Sequence, residues 1–212
     1  GEKFIIERIN IVGNSVTNDS VIRGEMIVDE GDPFSVLLVN KSINEIKARN
    51  IFGKVDHKIL PGSSEGLKVL EISVEEQPTG EIMAGAGIGT DGTAFQFAVN
   101  ENNWLGKGVK FQTAFNISTE RISGNISLKD PNYKYSNKSL TAGMSIASTD
   151  RSSSSGFKSS RTGFNLGTGF EQYENFFFRP ELVVTYEDIE VDESASTAIR
   201  NMEGTFFNAD FT

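Results

Sequence analysis

From residue 94 onward the chain changes polarity at every second position. Phe95, Phe97 and Val99 alternate with Ala94, Gln96, Ala98 and Asn100, and Val109, Phe111, Thr113, Phe115 and Ile117 alternate with Lys110, Gln112, Ala114, Asn116 and Ser118. The same period runs through Ile122–Leu128, Leu140–Ile146, Phe164–Phe170 and Phe178–Tyr186, and a less regular segment follows around Gly204–Phe211. Period two puts successive side chains on opposite faces of a strand. Each segment therefore predicts a strand with one apolar face and one small or polar face. The segments are about ten residues long, enough to cross a bilayer when tilted. Trp104, Tyr133, Tyr135, Tyr173, Phe176 and Tyr186 fall near their ends, where interfacial girdles form. Short connections at Asn102–Gly106 and Asn132–Asn137 alternate with longer polar ones at Thr149–Ser160 and Ile189–Thr197. These three features favour a transmembrane barrel over a soluble sandwich, with about eight strands counted from Glu81.

Ahead of Gln77-Pro78-Thr79-Gly80 the pattern is mixed. Ile5, Ile9 and Ile11 predict one strand face, interrupted by Glu7. Thr17 or Asn18 caps a short helix expected to run to Met26. A second helix starts after Pro33, with Ser35 as N-cap and Phe34 stapled to Val39. Val36, Val39, Ile43 and Ile46 form its apolar stripe, and Gly53 is the expected terminating glycine. Val55, His57 and Ile59, then Leu70, Ile72 and Val74, mark two strands joined by a turn at Pro61-Gly62-Ser63-Ser64. The order strand-helix-helix-strand-strand predicts an α+β domain over residues 1–78, with the barrel portion over 79–212.

Composition narrows the function. The 212 residues carry a net charge of −9, which argues against nucleic acid as a main partner. With no cysteine, thiol catalysis, disulfides and cysteine metal sites are excluded. No run of 18 apolar residues predicts a transmembrane helix. The chain starts at Gly1 without a signal peptide and stops at Thr212 in what reads as a strand. A fragment of a longer protein is the simplest expectation.

One stretch imitates a nucleotide site. Gly87-Ile88-Gly89-Thr90-Asp91-Gly92 matches G-x-G-x-x-G, but that fingerprint needs a following helix and an acid about 20 residues on. Here an alternating strand follows, and Lys107 stands at that distance. No nucleotide is expected. The alternative is a strand ending in a turn at Thr90-Asp91-Gly92. His57, the one histidine, has no second ligand and reads as a strand-face residue. Asp188, Glu190, Asp192 and Glu193 lack calcium-loop spacing and read as a solvated loop. Ser152–Ser155 has no base beside it and reads as a loop tip. No catalytic residue, metal or cofactor is expected.

Arg8–Met26, "RINIVGNSVTNDSVIRGEM", resembles the start of a POTRA domain. Gly87–Gly108, containing Asn103-Trp104-Leu105-Gly106-Lys107-Gly108, and Asp130-Pro131-Asn132-Tyr133 resemble the opening barrel hairpins of the Omp85 superfamily, in its outer-membrane protein assembly branch. The resemblance implies the membrane-proximal POTRA domain in the periplasm and about eight strands of a sixteen-strand barrel in the bacterial outer membrane. It implies assembly without chemistry, with unfolded outer-membrane proteins, assembly-complex lipoproteins and the lipid bilayer as partners. A secretion or translocation pore of the same superfamily is the alternative. Three candidate sites follow. The glycine-rich first barrel strand, Glu81, Ile82, Met83, Ala84, Gly85, Ala86, Gly87, Ile88, Gly89 and Thr90, is depleted of side chains and is expected to pair weakly and act as a lateral gate. An edge strand of the POTRA domain, Lys54, Val55, Asp56, His57, Lys58, Ile59 and Leu60, is expected to be open to augmentation by a substrate strand. The resemblance also implies that Glu25 meets a partner lipoprotein, although Gly24 stands where the family commonly has a basic residue.

Overall fold

The computed structural model describes residues 4–89, 92–193 and 195–212. The chain divides into two compact units. One comprises Gly1–Thr79 together with Asn102–Val109, the other Gly80–Glu101 together with Lys110–Thr212. The sequence suggests a single break near Pro78; the structure also assigns an eight-residue turn from the second half to the first unit.

The first unit runs β1 (Ile5–Val12), α1 (Asp19–Arg23), α2 (Val36–Ala48), β2 (Phe52–Pro61) and β3 (Leu67–Glu76). Its sheet has the order β1-β3-β2, with β1 parallel to β3 and β2 antiparallel to it. β3 is central, so Leu70, Ile72 and Val74 are buried against Val39, Ile43 and Ile46 of α2 and Ile22 of α1. Burying such side chains contributes about 1.5–3 kcal/mol each.

Several local expectations need correction. The ladder shifts between Ile6 and Arg8, a bulge that turns Ile6 inward and leaves Ile5 exposed. α1 ends at Arg23, short of Met26. Ser35 precedes α2 but makes no side-chain cap. α2 stops at Ala48 with Asn50 in the left-handed region, and Gly53 lies inside β2. Asparagine tolerates that conformation, which removed the need for a glycine.

The second unit is one antiparallel sheet. β4 (Gly80–Gly89), β5 (Gly92–Trp104), β6 (Val109–Ser118), β7 (Arg121–Asp130), β8 (Lys138–Arg151), β9 (Phe157–Tyr173), β11 (Glu181–Val191) and β12 (Gly204–Phe211) lie side by side. A short β10 (Phe176–Phe178) adds to β9, and α3 (Thr197–Arg200) lies before β12. The region expected as a loop at Thr149–Ser160 is mostly ladder: Arg151 pairs with Phe157 and Ser148 with Ser160. Its serines continue the polar face of the strands, so composition misled. Tyr186 sits mid-strand opposite Phe207 and Thr162, not at a strand end.

Candidate functional site: an open sheet with an outward apolar face

Register makes one face of the second unit continuous. Ile82 is opposite Val99, and Ala84 opposite Phe97. Thr113 meets Ile126, which meets Met144, which meets Phe164, which meets Val184, which meets Ala209. The other face carries Gln112, Ser127, Gly143, Asn165 and Val183 in the same rows. Most of the large apolar side chains of the first face stay exposed, among them Phe95, Phe115, Ile126, Leu166 and Phe207. The buried apolar cluster lies wholly within Ile6–Val74. A water-soluble protein does not leave so large an apolar face uncovered. Hydrocarbon covers it without cost. Ten residues of β4, β6 or β7 rise about 33 Å, or about 24 Å across a bilayer at a 45° tilt. That matches the apolar band of an outer-membrane barrel.

The connections after β5, β7 and β9 lie at one end of this antiparallel sheet. They carry Trp104, then Tyr133 and Tyr135 in a 3-10 turn, then Tyr173 and Phe176 with ring centroids 6.3 Å apart. Such rings suit the headgroup level. At the opposite end Ser152 donates its hydroxyl to Asp150 at 2.6 Å and Lys158 pairs with Asp150 at 3.0 Å. The serine run is a polar hairpin tip.

β4 and β12 are the two edges of the sheet path. All ten residues of β4 are exposed. Gly85, Gly87 and Gly89 share the face opposite to Ile82, Ala84, Ala86 and Ile88, and a Cβ added to any of the three meets nothing within 4 Å. These glycines make room for no neighbour in this sheet. The G-x-G motif is thus strand: Gly87 faces Ala94 and Gly89 faces Gly92, with no helix following. Thr90 of the expected gate strand, and Asp91 of its turn, lie outside the described residues.

In the first unit β2 is an edge, because β3 alone pairs with it. Lys54–Leu60 lies within β2; Val55 points into the core and Ile59 and Leu60 are exposed. Lys54 pairs with Asp56 at 3.0 Å and stands 3.9 Å from Glu75. Glu25 follows α1, and its carboxylate accepts from Arg49 at 3.0 Å, with side chains only 15% and 11% exposed. Among the described residues no cluster of three or more His, Cys, Asp or Glu could hold a metal ion.

Two arrangements escaped sequence reasoning. The Glu76 carboxylate gathers the loop after β1: it accepts from Ser15 Oγ at 2.7 Å, Val16 N at 2.9 Å and Thr17 N at 2.6 Å. Partial burial opposes its ionisation, but the hydrogen bonds from Ser15, Thr17 and Val16 outweigh this and hold its pKa down at about 2. The second is the Asn102–Val109 turn. Asn103 Nδ2 donates to Thr17 Oγ1 at 2.8 Å, and its Oδ1 accepts from Gly108 N at 2.7 Å. Asn18 N donates to the Gly106 carbonyl at 2.8 Å, and Arg49 donates to the Gly108 carbonyl at 2.6 Å.

An α+β domain placed ahead of amphipathic strands with a lipid-type face defines a class: an outer-membrane β-barrel protein with a preceding soluble module. The chain belongs to the Omp85 superfamily. The Omp85 superfamily domain matches residues 103–212, and POTRA, the surface antigen variable number repeat, matches residues 4–77. The chain is similar to the outer membrane protein assembly factor BamA of Neorickettsia risticii, at 26% identity over 211 residues, covering 96% of this chain and 28% of that protein. It resembles BamA of Neisseria meningitidis at 28% identity over 142 residues, covering 66% of this chain and 18% of that one. Among solved structures, BamA from Haemophilus ducreyi lacking POTRA domains 1–3 superposes with a TM-score of 0.77 at 22% identity, covering all of this chain and 43% of that one. CdiB from Escherichia coli superposes at 0.64 with 13% identity, covering 99% and 41%. The chain therefore spans less than half the length of each of these relatives. The family and the apolar face indicate the bacterial outer membrane.

Proposed function

We propose that this chain belongs to a non-enzymatic assembly factor that folds β-barrel proteins into the outer membrane, with its POTRA domain in the periplasm. One observation carries the reading. β4 ends the sheet path and carries glycine at three alternate positions, Gly85, Gly87 and Gly89, which pair with Gln96, Ala94 and Gly92 of β5 without side chains of their own to pack. Such a strand pairs weakly and offers its free N–H and C=O groups to another strand. In this reading β4 is the lateral gate and templates the incoming strand of an unfolded outer-membrane protein. β2 receives extended substrate by augmentation at Lys54–Leu60. The names of the BamA relatives support the same role. The absence of cysteine permits a direct test. Single cysteines along β4, paired with single cysteines along a substrate's terminal strand, should form disulfides in one register during assembly. Random or absent capture with an efficiently assembled substrate would overturn the gate.

Glu25 is proposed as the contact for an assembly lipoprotein. A partner's cation there must compete with Arg49 3.0 Å away. The second reading, a secretion or translocation pore, draws support from the likeness to CdiB in fold. Substrate delivered across vesicles instead of into their membrane would select it.

A further inference from the structure

The motif Asn103-Trp104-Leu105-Gly106-Lys107-Gly108 has no role in the reading above. It joins β5 to β6, yet its contacts belong to the first unit. The sequence is built for that docking. Gly106 and Gly108 both have φ near +70°. A Cβ on Gly106 would collide with the Val16 carbonyl oxygen, and one on Gly108 would meet Arg49 and Val21 inside 3 Å. The turn's carbonyls face outward to Asn18 N and to Arg49, while Asn103 reaches Thr17 with one amide atom and closes the turn onto Gly108 with the other. The Thr17 side chain and Asn103 are themselves buried. On its other side the turn touches the origin of β4: Asn102 N donates to the Thr79 carbonyl at 3.2 Å, and the next pair, Gly80 with Glu101, opens the β4–β5 ladder.

We infer that Asn102–Val109 is a clamp, with Asn103, Gly106 and Gly108 as positioning residues for β4. Loop 15–18 and Arg49 hold the turn; the turn holds the first rungs of the β4–β5 ladder. The glycines beyond those rungs give β4 little hold of its own, so its pairing at Glu81–Ala84 depends on the clamp. Displacement of loop 15–18 or of Arg49 reaches the edge strand through this turn. Arg49 bonds both the Gly108 carbonyl and Glu25, which makes Glu25 the point where an outside charge acts on the clamp.

The test uses the full-length protein in lipid vesicles, with hydrogen exchange read along β4 and assembly of an unfolded barrel substrate measured in parallel. Gly106→Ala pushes a methyl group into the Val16 carbonyl. Thr17→Val removes the hydroxyl that Asn103 reaches while keeping the shape. Gly31→Ala is the control, since Gly31 also has positive φ but a Cβ there meets nothing within 4 Å. Gly106→Ala and Thr17→Val should each speed exchange at Glu81–Ala84 by about fivefold or more, the loss of one net hydrogen bond, and their effects should be non-additive because they cut the same link. Assembly should slow in step. Exchange at Glu81–Ala84 equal to that of Gly31→Ala in both variants overturns the clamp. The slowing of assembly rests on the proposed function; a wild-type protein that assembles nothing refutes that reading, while exchange still decides the clamp.

Discussion

Replacing Glu76 by Gln removes a charge that three donors were built around. The side chain keeps its length and an acceptor oxygen, but Ser15 Oγ, Val16 N and Thr17 N lose the carboxylate. A fall from the ordinary 4.5 to about 2 corresponds to an upper bound of about 3.4 kcal/mol. Glu76 is only partly buried, so solvent screening reduces the expected loss to roughly 1–2 kcal/mol. The sign is fixed. The folded pKa lies below the unfolded one, so the contribution is complete above about pH 4.5 and disappears as pH falls toward 2. Trp104, the one tryptophan, lies in the docked turn, next to the residue that reaches Thr17. Its emission should report loss of the loop during acid titration. Wild type should change between pH 4.5 and 2, and Glu76→Gln should lack that component. At neutral pH the Val16 and Thr17 amides should exchange about 5–30-fold faster in the variant. Unchanged protection together with an unchanged acid profile would refute the assignment of Glu76 as the anchor of this loop.

Three further outcomes follow from the geometry. Gly87→Val has space for its side chain and raises strand preference, so it should stabilise β4 pairing by about 0.5–1 kcal/mol and slow substrate assembly, checked by exchange along β4 and by assembly rate. Ile126→Lys places a charge on the apolar face and should cost about 2–4 kcal/mol in bilayers, whereas the neighbouring Asn125→Lys on the other face should be tolerated; urea unfolding in vesicles separates the two. Glu25→Lys should repel Arg49, weakening its hold on Gly108 and reducing co-purification of the proposed lipoprotein partner; full recovery of that complex would remove Glu25 from the proposed interface.

The two units put apolar residues to opposite uses, and that decides how much the sequence reveals. In the first unit periodicity found α2, because Val39, Ile43 and Ile46 face a core. It misjudged β1, since one bulged residue exchanges the faces of Ile5 and Ile6. In the second unit alternation survives even where it does not bury anything, because lipid replaces the core. Strand existence and facing were therefore readable from Phe95 to Tyr186, while strand ends were not. Serines and threonines at 148–160 suit a polar barrel wall as well as a loop, and only pairing with the neighbouring strand distinguishes them.

The sites divide along the same line. A gate strand could be suspected from glycine spacing, a local property. The clamp could not, because Thr17 and Asn103 are 86 residues apart and their hydrogen bond has no periodicity to announce it. What the chain did display was an oddity: a tight, glycine-rich turn between two long strands, with an asparagine at its start. A hairpin needs one such glycine for its backbone. Two at positive φ, each with a first-unit atom standing inside the space of its missing Cβ, show that the turn is shaped by what it docks against. The glycines of β4 have empty space beside them, and the glycines of the turn do not. One set leaves out side chains along the strand proposed to pair weakly; the other leaves them out where a backbone is held. Exchange of Gly87→Val against Gly106→Ala therefore has opposite expected signs at Glu81–Ala84, slower in the first and faster in the second, and equal signs would show that the two glycine sets do not act on the same strand.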